Sequence, residues 1–531
     1  MKGMHMESLK VTHGGDLLAN AVKKAYSAGQ IDYSIEPLVR VDEHIFPIGR
    51  IKPNDSVIFC CRRGEREIEL TEAFTDPLFN HFERPLLQDL NFVILTMYHE
   101  KFKDLPVAFA PSKINQTLGE LVGKAGFTQF RCSESEKFAH ITFFLNGGHN
   151  QPFPGETDLR IPSPKGIPFD QVPELSLPKV ADEVIIGLQQ GYDLIVTNFA
   201  NGDVIGHTAN TSAKVRCAEV VDCHLGRVIE AAKANNYVVI VTADHGNLEE
   251  LFTPEGNPHV AHTNNLVPFV VIDPLAETPI KSSDGILSDI APTILEILHV
   301  EVPEVMTGKN LVQGHNFGLD RKVILIILDG WGNGNPDENN PIFIGKTPNW
   351  DFIQQKYSAS QLKASGEVVG LQPGKAGNSE AGHMNIGAGR IVLQDDVRLD
   401  TAMQDGTFFT NEVFLQSIDS VLEKKSNLHL IGLLTEKSSH GSIDYPLALL
   451  KMAKQKGAKE IYLHIIFDGR STEPGSAPML LEKLEAYIAE IEIGQIVSGM
   501  GRGIALDRDG NYAKIKKAYD AMVYGIGNTY A

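Results

Sequence analysis

Three short apolar runs of this sequence each lead into a segment that carries an aspartate. The pairs of run and aspartate are 323–328 with Asp329, 237–241 with Asp244, and 194–196 with Asp203. Wholly apolar strands are typical of parallel sheets that are covered by helices on both faces. In such sheets, ligands bind where loops leave the carboxyl ends of neighbouring strands. We therefore expect the three runs to be strands and the aspartates to converge, although the sequence separates them widely.

Short β-branched runs alternate with amphipathic helical stretches, which predicts an α/β fold. Apolar residues recur at helical spacing between Leu17 and Ala25, and again from Ala218 to Ala232. Ser212 is the expected N-cap of the second helix. At 531 residues the chain is too long for one hydrophobic core, so two domains are expected.

The charge balance and the cysteine content limit the expected partners and location. A net charge of −19 argues against a general affinity for nucleic acid or anionic membranes, although a local basic cluster can still bind an anion. We find no signal-peptide pattern at the start and no apolar run that approaches the length of a membrane span. The 5 cysteines form no repeated CxxC pair. We expect a cytoplasmic monomer that acts on a small molecule.

Carboxylate and imidazole side chains cluster in and around the strand-end segments, and a serine lies in the turn-rich segment 374–383. The candidates are Asp203, His207, His262, Asp244, His245, Asp329 and Ser379. Such ligands, without a thiolate, suit Mn²⁺, Zn²⁺, Co²⁺ or a similar divalent ion. Paired ions can ionise an attacking oxygen and neutralise charge on a transferring phosphoryl group. The set has the content of a two-metal site around an activated serine.

A second set of candidate residues is basic. These arginines lie near probable strand ends, where guanidinium groups can bind carboxylate or phosphate through two hydrogen bonds. They are Arg63, Arg66, Arg470, Arg502 and Arg508. Surface ion pairing is the alternative for each arginine by itself, and sequence spacing alone does not show that they converge.

Nine segments carry a family resemblance across nearly the whole chain. They are 328–332 (Leu-Asp-Gly-Trp-Gly), 377–390, 467–470, 505–509, 143–148, 161–165, 203–207, 242–247 and 261–264. On these segments the chain resembles the 2,3-bisphosphoglycerate-independent phosphoglycerate mutases, members of the alkaline phosphatase superfamily. The resemblance implies an alkaline-phosphatase-like doubly wound sheet with a metal site, and a smaller α/β transferase domain.

The resemblance also implies a reaction and assigns roles to residues. Ser379 would form a phosphoserine while 3-phosphoglycerate and 2-phosphoglycerate are interconverted, without 2,3-bisphosphoglycerate. Mn²⁺ is the expected ion, with Zn²⁺, Co²⁺ or Mg²⁺ as alternatives. One ion would be held by Asp203, His207 and His262, and the other by Asp329, Ser379, Asp244 and His245. The substrate would be bound by His440, Arg470, Ser471, Arg502, Arg508, Arg63, Arg66 and Lys165.

The segments that resemble the family occur in rotated order. Residues 1 to about 312 resemble the second half of the family's sequences. The residues from about 322 onwards resemble the first half. The resemblance therefore implies a circular permutant, whose old termini are joined through residues 313–321. Residues 134–393 would then form a continuous metal-binding domain, and residues 1–133 and 394–531 would together form the transferase domain.

The transferase half departs from the family pattern at two places. Ser471 stands where the family has an aspartate that is thought to move protons between the glycerate hydroxyls, and the segment 434–442 keeps only the histidine at 440. A serine cannot act as a general base at neutral pH without help. Two alternatives stay open: a metal-dependent phosphatase or mutase for another small phosphorylated acid, and a silent relative that binds phosphorylated ligands.

Overall fold

The structure is a computed structural model that describes residues 12–62, 66–110, 114–357, 359–436, 438 and 440–531. The chain divides into two compact units: unit 1 comprises Met1–Pro111 and Arg398–Ala531, and unit 2 comprises Ser112–Val397. Each unit contains an eight-stranded sheet together with α-helices. The predicted two-domain α/β fold is confirmed.

The strands and helices alternate along most of the chain. The strands are β1 (Leu38–Arg40), β2 (Ser56–Phe59), β3 (Asn91–Thr96), β4 (Val107–Phe109), β5 (Gln129–Glu134), β6 (Glu156–Ile161), β7 (Leu194–Phe199), β8 (Tyr237–Thr242), β9 (Val267–Ile272), β10 (Gly285–Ile286), β11 (Lys322–Leu328), β12 (Ser360–Lys363), β13 (Leu428–Leu434), β14 (Ile461–Phe467), β15 (Gln495–Gly501) and β16 (Asn528–Tyr530). The α-helices are α1 (Gly15–Ser27), α2 (Ile68–Thr75), α3 (Leu118–Lys124), α4 (Leu177–Gln190), α5 (Asn201–Gly206), α6 (Thr211–Ala234), α7 (Ile290–Ile297), α8 (Pro341–Ile344), α9 (Pro348–Lys356), α10 (Ser379–Ala388), α11 (Asp395–Asp405), α12 (Glu412–Lys424), α13 (Asp444–Lys456), α14 (Ala477–Ile491), α15 (Arg502–Ala505) and α16 (Tyr512–Val523).

The sheet of unit 1 has the strand order β16-β1-β15-β14-β13-β2-β3-β4, and its neighbouring strands are parallel except for β1 with β15. Successive side chains of a strand point to opposite faces. In β2, Val57 and Phe59 belong to the hydrophobic cluster that contains residues of α2 and α16, whereas Ile58 belongs to the cluster that contains residues of α1, α12, α13 and α14. Helices therefore cover both faces of this sheet.

The sheet of unit 2 has the strand order β10-β12-β9-β8-β11-β7-β5-β6, and the five strands from β8 to β6 are parallel. The three apolar runs of the sequence are β7, β8 and β11, as predicted, and β11 lies between the other two. Leu328 lies opposite Phe199, and Ile327 lies opposite Thr242, so these strands end at the same level of the sheet.

The start of α6 differs from the prediction. Asn210 is the N-cap, because its backbone is extended and its side-chain oxygen accepts a hydrogen bond of 3.1 Å from the backbone N–H of Ala213. The prediction that Ser212 caps this helix is wrong, since Ser212 lies within its first turn. In unit 1, the predicted helix around Leu17–Ala25 is α1, with Leu18 and Val22 buried.

Unit 2 begins before residue 134, which is the start that we set from the sequence. β5 lies between β7 and β6 in its sheet, and residues of α3 belong to the same hydrophobic cluster as β5.

In the described part of the chain, no helix combines the length and the apolar character that crossing a bilayer requires.

The segment 313–321 lies within unit 2, between α7 and β11, and forms neither a helix nor a strand. Its last residue, Arg321, donates hydrogen bonds of 3.1 and 2.6 Å to the two carboxylate oxygens of Asp273, at the end of β9. His315 Nε2 lies 3.1 Å from the same carboxylate. Burial acts against ionisation of Asp273, but the Arg321 guanidinium and the other donors hold its pKa below its ordinary value. A buried, doubly hydrogen-bonded ion pair therefore fastens this segment.

We predict that Asp273→Asn lowers the free energy of unfolding of unit 2 by about 3 kcal/mol, because it leaves the Arg321 guanidinium buried without its counter-charge. Urea unfolding can be followed through the fluorescence of Trp331 and Trp350, which both lie in unit 2. The control is Asp182→Asn, which breaks the exposed ion pair with Arg227 and should cost less than about 1 kcal/mol. Equal effects of the two variants would contradict the prediction.

Candidate metal centre and basic cluster

The candidate ligands of unit 2 follow the carboxyl ends of its central strands. Asp329 follows β11 directly, Asp244 comes two residues after β8, and Asp203 lies in α5, which begins two residues after β7. The turn after Asp329 needs glycine, because Gly330 has a φ of 72° and a Cβ there would lie 2.6 Å from the backbone N of Asp203. This close approach places the aspartates beside one another.

Asp203 and two histidines form the first group of candidate ligands. Asp203 Oδ1 lies 3.2 Å from His207 Nε2 and 3.0 Å from His262 Nε2. The two Nε2 atoms are 3.1 Å apart. Asn247 Nδ2 donates a hydrogen bond of 3.0 Å to the same Asp203 oxygen. Three potential ligand atoms thus converge on one point.

Ser379, the first residue of α10, lies in the second group. Its Oγ is 2.9 Å from His245 Nε2 and donates a hydrogen bond of 3.2 Å to Asp329 Oδ1. His245 Nε2 is also 3.5 Å from Asp244 Oδ2 and 3.6 Å from Asp329 Oδ1. His383 Nδ1 lies 3.3 Å from Asp244 Oδ2. These side chains are all buried.

Lys137 places an ammonium group among these residues. It lies just after β5, and its Nζ donates hydrogen bonds of 2.7 Å to Asp203 Oδ2, 2.8 Å to Asp329 Oδ1 and 2.6 Å to Ser379 Oγ. Burial disfavours the charged lysine, but Asp329, Asp203 and Asp244 raise the pKa of Lys137 above its ordinary value. The ammonium therefore carries its charge inside the cluster.

The carboxylates outnumber the cations that face them. Burial raises the pKa of Asp329, and the neighbouring Asp244 raises it further. Burial acts in the same direction on Asp244, but His245 and His383 hold the pKa of Asp244 below its ordinary value. One lysine faces three buried carboxylates, and the histidines beside them or additional cations would neutralise the remaining negative charge.

The histidines have the orientation that metal ligands need. His207 Nδ1 lies 2.9 Å from the carbonyl oxygen of Val260, and His262 Nδ1 lies 2.7 Å from that of Gly377. A carbonyl only accepts, so each Nδ1 donates, and each Nε2 faces the Asp203 carboxylate, which raises the pKa of both histidines. A divalent ion in this place would displace any proton on Nε2 and bind its lone pair instead. Hydrogen bonds from Nδ1 to a carbonyl fix the tautomer of metal-ligating histidines. The donor set, carboxylate and imidazole without thiolate, fits divalent ions such as Mn²⁺ or Zn²⁺.

The structure brings together all the predicted metal-ligating residues, and it adds residues that sequence reasoning missed. Lys137 contacts Ser379, whereas Lys165 is exposed in the loop after β6 and, within the described part of the chain, forms no hydrogen bond or ion pair with the cluster. A lysine that closely follows a strand end was the available signal for Lys137. His383 is a second addition, because it combines with Asp244 and Asp329 in a further group of possible ligand atoms.

The basic residues of unit 1 follow neighbouring strands in the same way. β15, β14, β13 and β2 are consecutive parallel strands, and they are followed by Arg502, Arg470, His440 and Arg66, respectively. The topology thus places these positions at the carboxyl edge of one sheet, where α/β proteins bind ligands. Arg63 lies outside the described residues.

Two of these arginines are buried, and contacts within unit 1 fix the orientation of their guanidinium groups. The Arg502 guanidinium forms an ion pair with Asp468, and Arg66 donates a hydrogen bond of 3.1 Å to the carbonyl oxygen of Leu506. Their remaining N–H groups can bind anionic oxygens.

Two further arginines and Ser471 are exposed. The Arg470 guanidinium lies over the Tyr33 ring, 5.3 Å from its centre. Ser471 is also exposed, and its backbone N–H donates a hydrogen bond of 3.1 Å to Asp468 Oδ2. Arg508 is exposed after the end of α15. The structure therefore places Arg470, Ser471 and Arg508 where a solute can reach them.

Comparison with known families agrees with this geometry. The family model described as Metalloenzyme superfamily matches residues 5–302, and the model described as BPG-independent PGAM N-terminus matches residues 399–531. The first match covers more than half of the chain, and the chain belongs to the metalloenzyme superfamily. Asp329 and Ser379 lie between the two matched segments, so their inclusion in the site comes from the distances given above.

Within this superfamily, the chain is similar to 2,3-bisphosphoglycerate-independent phosphoglycerate mutases. It is 42% identical to that of Moorella thermoacetica over 301 residues, which are 56% of this chain and 58% of the relative. It is 43% identical to that of Salinibacter ruber over 298 residues, which are 55% of this chain and 56% of the relative. The chain spans about half the length of the curated relatives it matches. A solved structure of Leishmania mexicana phosphoglycerate mutase at low cobalt concentration is 28% identical, with a TM-score of 0.40 over 51% of this chain and 53% of that chain.

We predict that His262→Ala reduces the bound Mn²⁺ from about two ions per chain to about one, because it removes an imidazole that faces Asp203. Elemental analysis after equilibrium dialysis measures this ratio. His259→Ala is the matched control, since His259 lies in unit 2 near Glu250 and outside the cluster. An unchanged ratio in His262→Ala would exclude this histidine as a ligand.

Proposed function

We propose that this chain is a phosphoglycerate mutase that interconverts 3-phosphoglycerate and 2-phosphoglycerate without 2,3-bisphosphoglycerate. The observation that carries the proposal is the environment of Ser379. Its Oγ lies within 3.2 Å of an imidazole, a carboxylate and an ammonium group, those of His245, Asp329 and Lys137. A nucleophilic serine needs such neighbours to lose its proton and to face an anionic phosphoryl group.

The metal ions would be held by Asp203, His207 and His262, and by Asp329, Asp244, His245 and Ser379. When bound, they would lower the pKa of the serine hydroxyl and neutralise charge on the phosphoryl oxygens. The excess of buried carboxylates over cations supports this assignment. Mn²⁺ is our proposed ion.

The residues of the chain perform the rest of the transfer. The Ser379 oxygen attacks phosphorus, the bond between phosphorus and the 3-oxygen of the substrate breaks, and that oxygen takes up a proton. The retained glycerate then uses its 2-hydroxyl to attack the phosphoserine, and Ser379 regains the electron pair of the broken bond. The Lys137 ammonium donates to the serine oxygen throughout, which stabilises the charge that develops there.

We propose that unit 1 supplies the groups that hold the glycerate. Guanidinium groups match the geometry of a carboxylate or a phosphate. The proposed set is His440, Arg470, Ser471, Arg502, Arg508, Arg63 and Arg66. We assign to Lys137 the anion-binding role that the family resemblance implies for Lys165, because Lys137 contacts Ser379.

We also propose that the order of segments is a circular permutation of the family order, joined through residues 313–321. Two observations support this proposal. The model described as an N-terminus matches residues 399–531, after the superfamily match at 5–302. In addition, β11, which follows the joining segment, lies between β7 and β8, which precede it. A monomeric state and a cytoplasmic location complete the proposal, and the charge of −19 is in keeping with the monomeric state.

A phosphatase, or a mutase for another small phosphorylated acid, is the second candidate. It is favoured by Ser471, an exposed serine at the position where the family has a proton-transferring aspartate. The discriminating experiment is incubation with 3-phosphoglycerate and Mn²⁺, followed by measurement of both 2-phosphoglycerate and free phosphate. Release of phosphate without isomerisation would reject the mutase and favour the second candidate.

We predict that Ser379→Ala lowers isomerase activity by at least about 10³-fold, because the phosphoryl group loses its acceptor. The measurements are the initial rate and the amount of acid-stable phosphoserine trapped from labelled substrate. Ser288→Ala is the matched control, since this buried hydroxyl of unit 2 has no hydrogen-bond partner among the described residues. Turnover that survives in Ser379→Ala would disprove the phosphoserine mechanism.

We predict opposite outcomes for two lysine variants. Lys137→Met should lower kcat by about 10² to 10³-fold, because it removes the donor to the serine oxygen. Lys165→Met should stay within about twofold of the wild type, as exposed positions usually do. Steady-state kinetics with both variants tests this assignment, and the reverse ranking would return the role to Lys165.

A further inference from the structure

Glu67 is a carboxylate of unit 1 that has no role in the reaction proposed above. It immediately precedes α2 and has 0% exposure. Neither of its carboxylate oxygens has a hydrogen-bond partner among the residues that the structure describes. Burying a carboxylate without partners is costly, so its presence calls for a functional explanation.

His440 faces this carboxylate. Its Nδ1 lies 3.7 Å from Glu67 Oε1 and, within the described part of the chain, is likewise buried without a hydrogen bond. The side chain of His440 is 18% exposed, so the ring extends from the buried carboxylate to the surface of the unit. Catalytic hydrogen bonds that are long in a free enzyme tighten in the substrate complex.

The other titratable and charged groups near Glu67 do not replace His440 as its partner. Arg502 is paired with Asp468. Cys61 and Tyr98 are buried, which raises the pKa of each, and the Glu67 carboxylate raises both further. Burial also raises the pKa of Glu67, while His440 and Arg502 act in the opposite direction. His440 is thus the group that can share a proton with Glu67.

We propose that Glu67 is a positioning residue that accepts a hydrogen bond from the Nδ1–H of His440 and stabilises its imidazolium form, so that Nε2 exchanges protons with the glycerate hydroxyls. This inference rests on the proposed mutase function and deepens it. Ser471 has no acidic group that could transfer a proton. A carboxylate that acts through the His440 imidazole would supply this proton transfer instead.

The proton steps balance over one cycle. As the bond between phosphorus and the 3-oxygen breaks, the leaving oxygen takes the proton of His440 Nε2, and the imidazole becomes neutral. When the 2-oxygen attacks the phosphoserine, its hydroxyl proton passes to Nε2 and restores the imidazolium. The Nδ1 proton stays between His440 and Glu67 throughout, which keeps the ring in one tautomer.

The test compares wild type, Glu67→Gln and Glu69→Gln in protein labelled with ¹⁵N-histidine. Glu69 is the matched control, because it is a buried carboxylate two residues from Glu67, in α2, and it accepts a hydrogen bond of 2.9 Å from Gly510 N. The ¹⁵N signals of His440, identified by their loss in His440→Gln, are followed from about pH 6 to about pH 9. The kcat/KM profile is measured over the same range.

We expect Glu67→Gln to change the ¹⁵N signals of His440 and to move the alkaline limb of kcat/KM to lower pH, since an imidazolium without a facing anion loses its proton more easily. The value of kcat should fall about 10²-fold. Glu69→Gln should leave the His440 signals unchanged, and Glu67→Asp should restore the position of the alkaline limb. Unchanged Mn²⁺ binding and circular dichroism in Glu67→Gln would confirm that the fold is intact.

A wild-type titration and a wild-type alkaline limb in Glu67→Gln would overturn the proposal. The two proposals can fail separately. If the wild-type chain does not isomerise 3-phosphoglycerate, the proposed function fails, but the His440 signals still decide whether Glu67 controls this imidazole.

Discussion

Three carboxylates held together away from water are the constraint on which unit 2 depends. Asp203, Asp244 and Asp329 lie within the same cluster, and Lys137 is the ammonium group that faces them. Like charges in a buried site repel one another unless cations join them. The apolar strands β7, β8 and β11 provide a well-packed base for this unfavourable arrangement, and the histidines around it supply further ligand atoms.

The same topological rule positions the functional side chains of both units. In each sheet, candidate residues follow the carboxyl ends of adjacent parallel strands, where loops converge. The rule explains why residues as distant in sequence as Asp203 and Asp329 meet, and why Arg470 and Arg502 share one edge. The fold by itself does not define the reaction, which depends on the chemistry of these particular side chains.

Sequence reasoning succeeded where the pattern is local and failed where tertiary placement decides. The apolar runs of β7, β8 and β11 and the aspartates after them are readable because strand and ligand are close in sequence. Lys137 was missed because a lysine after a strand end is a weak signal by itself, and its role follows from the position of β5 beside β7 in the sheet. Glu67 was missed for the same reason, since its burial beside His440 depends on the packing of distant segments. Asn210 replaced Ser212 as a cap because both residue types suit that position and backbone geometry selects between them.

Unit 2 is one uninterrupted stretch of chain, whereas unit 1 combines two stretches that flank it. A ribosome releases residues in sequence order, and domains fold as units during synthesis. Lys137 and the candidate ligands from Asp203 to Ser379 have therefore been made before Arg398–Ala531 emerges. The metal centre can assemble on the nascent chain while β13, β14 and β15, and with them the His440 that faces Glu67, have yet to be translated.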